Sequence, residues 1–99
     1  MIRVVVLYDE APEPQRYEQH VELCGAVPGA TFRHGPVFGA PGGEPRHRYY
    51  AEFEWPDDAA FKAGASSPEF AATGEDAMAM GVRFSVEFAR LETLQAETL

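Results

Sequence analysis

Tyr17, His20, Val21 and Cys24 fall at i, i+3, i+4 and i+7, which places them on one stripe of a helix. An imidazole on such a stripe can take or give a proton near neutral pH. A tyrosine beside it can hydrogen-bond a carbonyl or a phenol. His20, Tyr17 and Tyr8 are therefore the candidate catalytic set, for acid/base chemistry that needs no cofactor. The competing reading of His20 is a core histidine satisfied by a backbone carbonyl. Tyr8 and Tyr17 can equally be packing residues with a wet hydroxyl. His34 alternates with Arg33 beside Phe32 and Phe38, so it is a second candidate for an apolar face, as a ligand-binding group. Tyr49, Phe53, Trp55, Phe84 and Phe88 could wall a pocket for a flat aromatic ligand, or form the core of a dimer.

Several other chemistries lack their residues. His20, His34 and His47 have neither i, i+4 nor H-x-H spacing, and Cys24 has no second cysteine, so no metal site is expected. Gly39 to Gly43 has no following lysine or helix start and does not read as a phosphate loop. There is no G-x-S-x-G elbow. His47, next to the Gly/Pro loop, reads as solvated, and Asp57, Asp58, Glu75 and Asp76 read as solvated helix ends.

The elements that must hold these residues follow from periodicity and punctuation. Ile2 to Tyr8 is a β-branched run closed by Asp9, Glu10 and Pro12, a strand of central character. A helix starts near Pro14 and stops near Gly25, before Pro28-Gly29. Thr31 to Gly39 is a second strand, which Gly35 and Pro36 assign to an edge or a bend. Ala40 to Pro45 is an exposed loop. Arg48 to Trp55 alternates with a period of two, Tyr49, Ala51, Phe53 and Trp55 against Tyr50, Glu52 and Glu54. A short helix follows, capped by Asp57 and ended near Gly64. Ser66-Ser67-Pro68-Glu69 opens another with capping-box spacing between Ser66 and Glu69. It runs to Gly81 and contains Gly74, a residue that weakens helices. Val82 to Arg90 is the fourth strand, with Val82, Phe84, Val86 and Phe88 on one face. Residues 91–99 read as a polar tail.

Composition sets the outer bounds. The 99 residues suit one domain spanning 1–99. The hydrophobic share of 45% is too high for a disordered chain. The formal charge of −8 repels phosphate backbones and anionic bilayers, so neither nucleic acid nor membrane is an expected partner. A lone cysteine and no long apolar run point to a cytoplasmic protein without structural disulfides.

The order β-α-β-β-α-β, with the second helical region broken in two, is the ferredoxin-like arrangement. It is an α+β fold in which a four-stranded antiparallel sheet carries its helices on one face. The aromatic residues exceed what two short helices can hide if the other sheet face is also apolar. A second sheet from an identical subunit is then the expected cover, giving a homodimeric α/β barrel.

Three stretches carry a family resemblance. They are the strand ending at Tyr8 with the following helix segment Y-E-Q-H-V-E-L and Pro28-Gly29, the run Y-Y-A-E-F-E-W-P-D, and S-S-P-E-F. In this order, and extending from Ile2 to Arg90, the chain resembles the EthD family, with Glu22 standing where that family carries a proline. The family is named for a gene cluster that degrades a fuel ether beside a cytochrome P450 system. Related dimeric barrels include cofactor-free monooxygenases, polyketide cyclases, dehydratases and isomerases. The resemblance implies a homodimer with a hydrophobic pocket between sheet and helices and no cofactor. It implies a small hydrophobic, oxygenated or aromatic ligand, with His20, Tyr17 and Tyr8 in the catalytic role and His34, Tyr49, Phe53, Trp55 and Phe84 as ligand contacts. The alternative it leaves open is a non-catalytic accessory that holds a metabolite for a partner oxygenase.

Overall fold

In the computed structural model, which describes residues 1–95, the chain runs β1 (Ile2–Tyr8), α1 (Pro14–Gly25), β2 (Thr31–Pro36), β3 (Tyr49–Trp55), α2 (Asp58–Ala65), α3 (Pro68–Ala79) and β4 (Phe84–Arg90). The strands form one antiparallel sheet in the order β2-β3-β1-β4. This is the ferredoxin-like α+β topology expected from the sequence, with β1 central and β2 on an edge. Among the described residues no helix is long and apolar enough to cross a membrane. Positions 96–99 of the expected tail lie outside the described residues.

Local chemistry fixes the helix ends. The Glu13 carboxylate accepts from the amides of Gln15 and Arg16, and Pro14 opens α1 where its missing N–H costs nothing. Asp57 caps α2 by accepting from the Ala60 amide. The cap of α3 is Ser67, whose hydroxyl accepts from the Phe70 amide, and not Ser66. Ser66 instead ends α2 and donates to the Lys62 carbonyl. The two helices follow so closely that the first serine is used up by the preceding one.

The register decides which side chains share a face. Val4 pairs with Phe53 and Phe88, and Tyr8 pairs with Tyr49 and Phe84. All the aromatic residues singled out in β3 and β4 therefore point to the helix side, with Val4, Val6, Phe32 and His34. The opposite face carries Arg3, Val5, Leu7, Arg33, Tyr50, Glu52, Glu54, Ser85 and Glu87. It is ionic, the largely polar face that the alternation of Tyr50, Glu52 and Glu54 implied, and not a second apolar face. Arg3 Nη2 donates to Glu54 at 2.7 Å, Arg33 Nη1 to Glu52 at 2.8 Å, and the Tyr50 hydroxyl to Glu52 at 2.7 Å. These bonds leave Glu52 buried.

Two clusters fill the helix side. Val4, Cys24, Val27, Phe53 and Trp55 make one; Val6, Tyr8, Tyr17 and Ala51 make the other. Trp55 is fully buried, and its indole N–H donates to the Pro28 carbonyl at 3.0 Å. Gly64 passes so close that a Cβ there would lie 2.6 Å from the Pro28 oxygen and closer still to the indole nitrogen. This is why α2 has a glycine in its last turn. The strand read as Thr31 to Gly39 stops at Pro36, whose nitrogen cannot donate to the ladder. Phe38, beyond it, is 99% exposed.

Candidate active site

Helix α3 lies over β1 and β4 without closing on the edge strand. The gap is a cavity of about 150 Å³ between Val4, Val6 and Tyr8 of β1, Phe84, Val86 and Phe88 of β4, and Phe70, Thr73 and Ala77 of α3. Phe53 and His20 complete the wall. Gly74 also faces it, and a Cβ there would meet nothing within 4 Å. The glycine that weakens α3 thus enlarges the cavity. Its volume matches the space that an engineered apolar cavity needs to take up a single benzene-sized ring.

His20 brings the polar chemistry to an otherwise apolar wall. The side chain is buried, and its Nδ1 lies 2.8 Å from Oδ2 of Asp76 on α3. Arg16, one turn before His20 on α1, grips the same carboxylate through both nitrogens, Nη2 to Oδ1 at 2.7 Å and Nη1 to Oδ2 at 3.1 Å. The Arg16 guanidinium, and then His20, hold the Asp76 carboxyl below the usual carboxylate range. An ionised Asp76 can only accept, so Nδ1 must carry the proton. That leaves Nε2 as the lone-pair nitrogen, and it has no hydrogen-bond partner among the described residues. A histidine held this way has its tautomer and ring orientation fixed by the carboxylate behind it, and Nε2 is the nitrogen that can accept a proton. Asp76 had read as a solvated helix end; Arg16 and Asp76 are the parts of the site that sequence reasoning missed.

The remaining candidates divide into three places. Tyr8 and Phe84 line the cavity with Phe53. Burial pushes the Tyr8 hydroxyl up to about 12, so it remains a neutral donor at ordinary pH. Tyr17 stands behind Tyr8, with ring centroids 5.9 Å apart and edge to face, and 5.5 Å from the His20 ring. Its hydroxyl is buried without a hydrogen-bond partner, and burial raises its pKa. Tyr17 faces a second groove, between Pro12, Pro14, Val21 and Pro36, where His34 Nδ1 lies 2.8 Å from the Tyr49 hydroxyl. His34 and Tyr49 are therefore not on the wall of the His20 cavity. Trp55 belongs to neither and is a core residue. His47, expected to be solvated, is half-buried, with Nδ1 3.4 Å from Asp9 Oδ1. Burial also raises the Cys24 thiol to about 12, which makes it an inert core group. Among the described residues no three His, Cys, Asp or Glu side chains are grouped to hold a metal ion.

Among solved structures, an ethyl tert-butyl ether degradation (EthD) family protein of Bacillus halodurans superposes with a TM-score of 0.76 at 20% identity, covering 93% of this chain and 99% of the other. The fold is ferredoxin-like, as in that neighbour. A dimeric ferredoxin-like protein of unknown function from Jannaschia sp. shares it with a TM-score of 0.70 at 22% identity, over 91% of this chain and 98% of the other. So does a cofactor-independent oxygenase of Streptomyces nogalater, with a TM-score of 0.62 at 16% identity, over 97% of both chains. No protein-family model matches the chain, and no curated protein does. What is shared with these neighbours is the backbone fold.

Proposed function

We propose that the protein is a cofactor-independent acid/base catalyst acting on a small, mostly apolar, oxygenated ring compound. The observation that carries this reading is a histidine on the wall of an apolar cavity, with one nitrogen fixed by a carboxylate and the other without a hydrogen-bond partner among the described residues. The ring of the substrate fills the space between Phe53, Phe84, Phe88 and Thr73. His20 Nε2 takes a proton from an activated carbon or hydroxyl, and the imidazolium returns it to another atom of the same substrate. Tyr8 donates to the oxygen on which charge develops. Proton transfer of this kind contributes about 10²–10⁴-fold, enough for cyclisation, dehydration or isomerisation of an activated ring. With dioxygen as co-substrate, the same deprotonation opens an oxygenase reaction, the activity by which the Streptomyces nogalater neighbour is described. The working form is a homodimer, in line with the neighbours from Jannaschia sp. and Thermobifida fusca that are described as dimeric.

The test is exchange of α-protons of 2-indanone in deuterium oxide, followed by proton NMR. The parent protein should accelerate exchange, and His20→Ala should lose about 10²-fold or more of the acceleration while still melting cooperatively as a folded protein. Equal exchange by both proteins would remove His20 from the chemistry. A second reading, a carrier that holds a hydrophobic metabolite for a partner oxygenase, is favoured by how little of the cavity wall is polar. It predicts saturable 2-indanone binding with no acceleration of exchange.

A further inference from the structure

The groove behind Tyr17 has no part in the proposed chemistry. It has a volume of about 380 Å³ and runs between the start of α1 and the edge strand β2. Pro12, Pro14, Tyr17 and Val21 form its α1 wall, and His34, Pro36 and Tyr49 form its sheet wall. The register pairs His34 with Ala51, Pro36 with Tyr49, and Tyr49 with Tyr8, so these three side chains lie on the helix side of the sheet. A second copy packed on the ionic face therefore leaves the groove open. The His20 cavity lies toward β4, across the Tyr8–Tyr17 pair.

The walls are aromatic and stiff. The Tyr17 ring centroid lies 5.0 Å from that of Tyr49 and 5.4 Å from that of His34, at interplanar angles of 67° and 62°. Tyr49 and His34 stack at 6.0 Å and 25°, tied by the 2.8 Å bond between the Tyr49 hydroxyl and His34 Nδ1. Prolines with fixed φ stand on both walls, so little has to be ordered when a ligand arrives. The charge around this frame is one-sided. The exposed Glu18 carboxylate lines the groove and has neither an ion-pair nor a hydrogen-bond partner among the described residues. No arginine or lysine lies among the lining residues. The stretch that builds the α1 wall carries Asp9, Glu10, Glu13, Glu18 and Glu22 against Arg16 alone, and Arg16 is bonded to Asp76.

We propose that this groove binds a small organic cation carrying a methylated ammonium group. Tyrosine rings attract a cation held within about 6 Å of their centroids, and Glu18 adds the opposite charge at the same place. An unmethylated ammonium is strongly hydrated and brings three N–H donors that need acceptors. The groove is poor in them, because the Tyr49 hydroxyl is already bonded to His34. A methylated ammonium needs no acceptor and gives up its water more cheaply. With no basic side chain to hold a phosphate, the ligand is a free small molecule and not a phospholipid headgroup. The site stands apart from the His20 reading, since none of its groups lines that cavity.

The experiment is a titration of the full chain with choline, read by NMR on the rings of Tyr17, His34 and Tyr49 and on the Val21 methyls. Saturable shifts are expected. 3,3-Dimethylbutan-1-ol has the same shape without the charge and should bind at least about tenfold more weakly, whereas a merely apolar groove would prefer it. Phosphocholine should also bind more weakly than choline. Glu18→Gln changes an exposed side chain and keeps the fold; it should weaken choline about threefold and leave the alcohol unaffected. The proposal is overturned if choline gives no saturable shift at these residues, or if the alcohol binds as tightly as choline. Phosphocholine binding as tightly as choline would assign the groove to a headgroup and overturn it too, as would a choline affinity unchanged in Glu18→Gln.

Discussion

Asp76→Asn isolates the geometry on which the site depends. In the parent, Asp76 Oδ2 accepts from both His20 Nδ1 and Arg16 Nη1, and Oδ1 accepts from Arg16 Nη2. Asparagine offers one acceptor oxygen and one NH₂. Arg16 brings only donors, so the oxygen turns to Arg16 and the NH₂ to His20. Nδ1 must then accept, and the imidazole proton moves to Nε2. The variant therefore replaces the free lone pair at the cavity with an N–H, converting the proposed base into a donor without changing the shape of the site. Hydrogen bonds to a charged partner contribute about 1.5–3 kcal/mol and neutral ones about 0.5–1.5. One contact is lost and two weakened, on a carboxylate whose side chain is 20% exposed beside an arginine that is 32% exposed. Discounted for that solvent screening, the cost is about 1–2 kcal/mol, or about 4–16 °C in melting temperature for a chain of this size. Nitrogen-15 spectra of the imidazole report the tautomer directly. Nδ1–H in the parent and Nε2–H in the variant are expected. The reasoning fails if both proteins show the same tautomer, or if the variant melts with the parent.

Gly74→Ala should raise stability by about 1 kcal/mol, because the helix gains propensity and the new methyl meets no atom; it should also weaken 2-indanone binding by narrowing the cavity, and both effects are read by thermal melts with and without ligand. Gly64→Ala should cost about 2–4 kcal/mol, since the methyl collides with the Pro28 carbonyl and breaks its bond from Trp55; a urea midpoint unchanged by the substitution would contradict that packing. The Asp76 carboxyl has a folded pKa below its unfolded value, so its stabilisation is present above about pH 4 and is lost as pH falls through the folded value. Denaturant midpoints between pH 6 and pH 2 should therefore fall less steeply in Asp76→Asn than in the parent.

The strands and their faces were legible because a period of two leaves its mark on every residue. The alternation in Tyr49 to Trp55 places Ala51, Phe53 and Trp55 on the buried side, as the structure has them. Two features were misread because neighbours in sequence compete. Ser66 and Ser67 both suit an N-cap, and only the end of α2 decides between them. The far side of the sheet was expected to need an apolar cover, but Arg3 and Arg33 meet Glu52 and Glu54 across three strands, a pairing that depends on register and not on composition. The carboxylate that holds His20 was illegible for a similar reason. Asp76 lies 56 residues from His20, and its place beside the buried Thr73 and Ala77 is the one trace it leaves in the sequence. His34 shares a sheet face with the cavity residues, but β2 is two strands away from β1, so it opens on another groove.

A titration of the nitrogen-15-labelled protein with 2-indanone, observed on the His20 side chain, asks the decisive question. If a ring compound enters between α3 and β4 and reaches the open nitrogen, Nε2 should shift saturably, together with the Thr73 and Phe84 resonances, while Nδ1 keeps its proton. Saturable binding that leaves Nε2 unmoved and shifts the Tyr49 and His34 signals instead would contradict the account and place the ligand in the other groove.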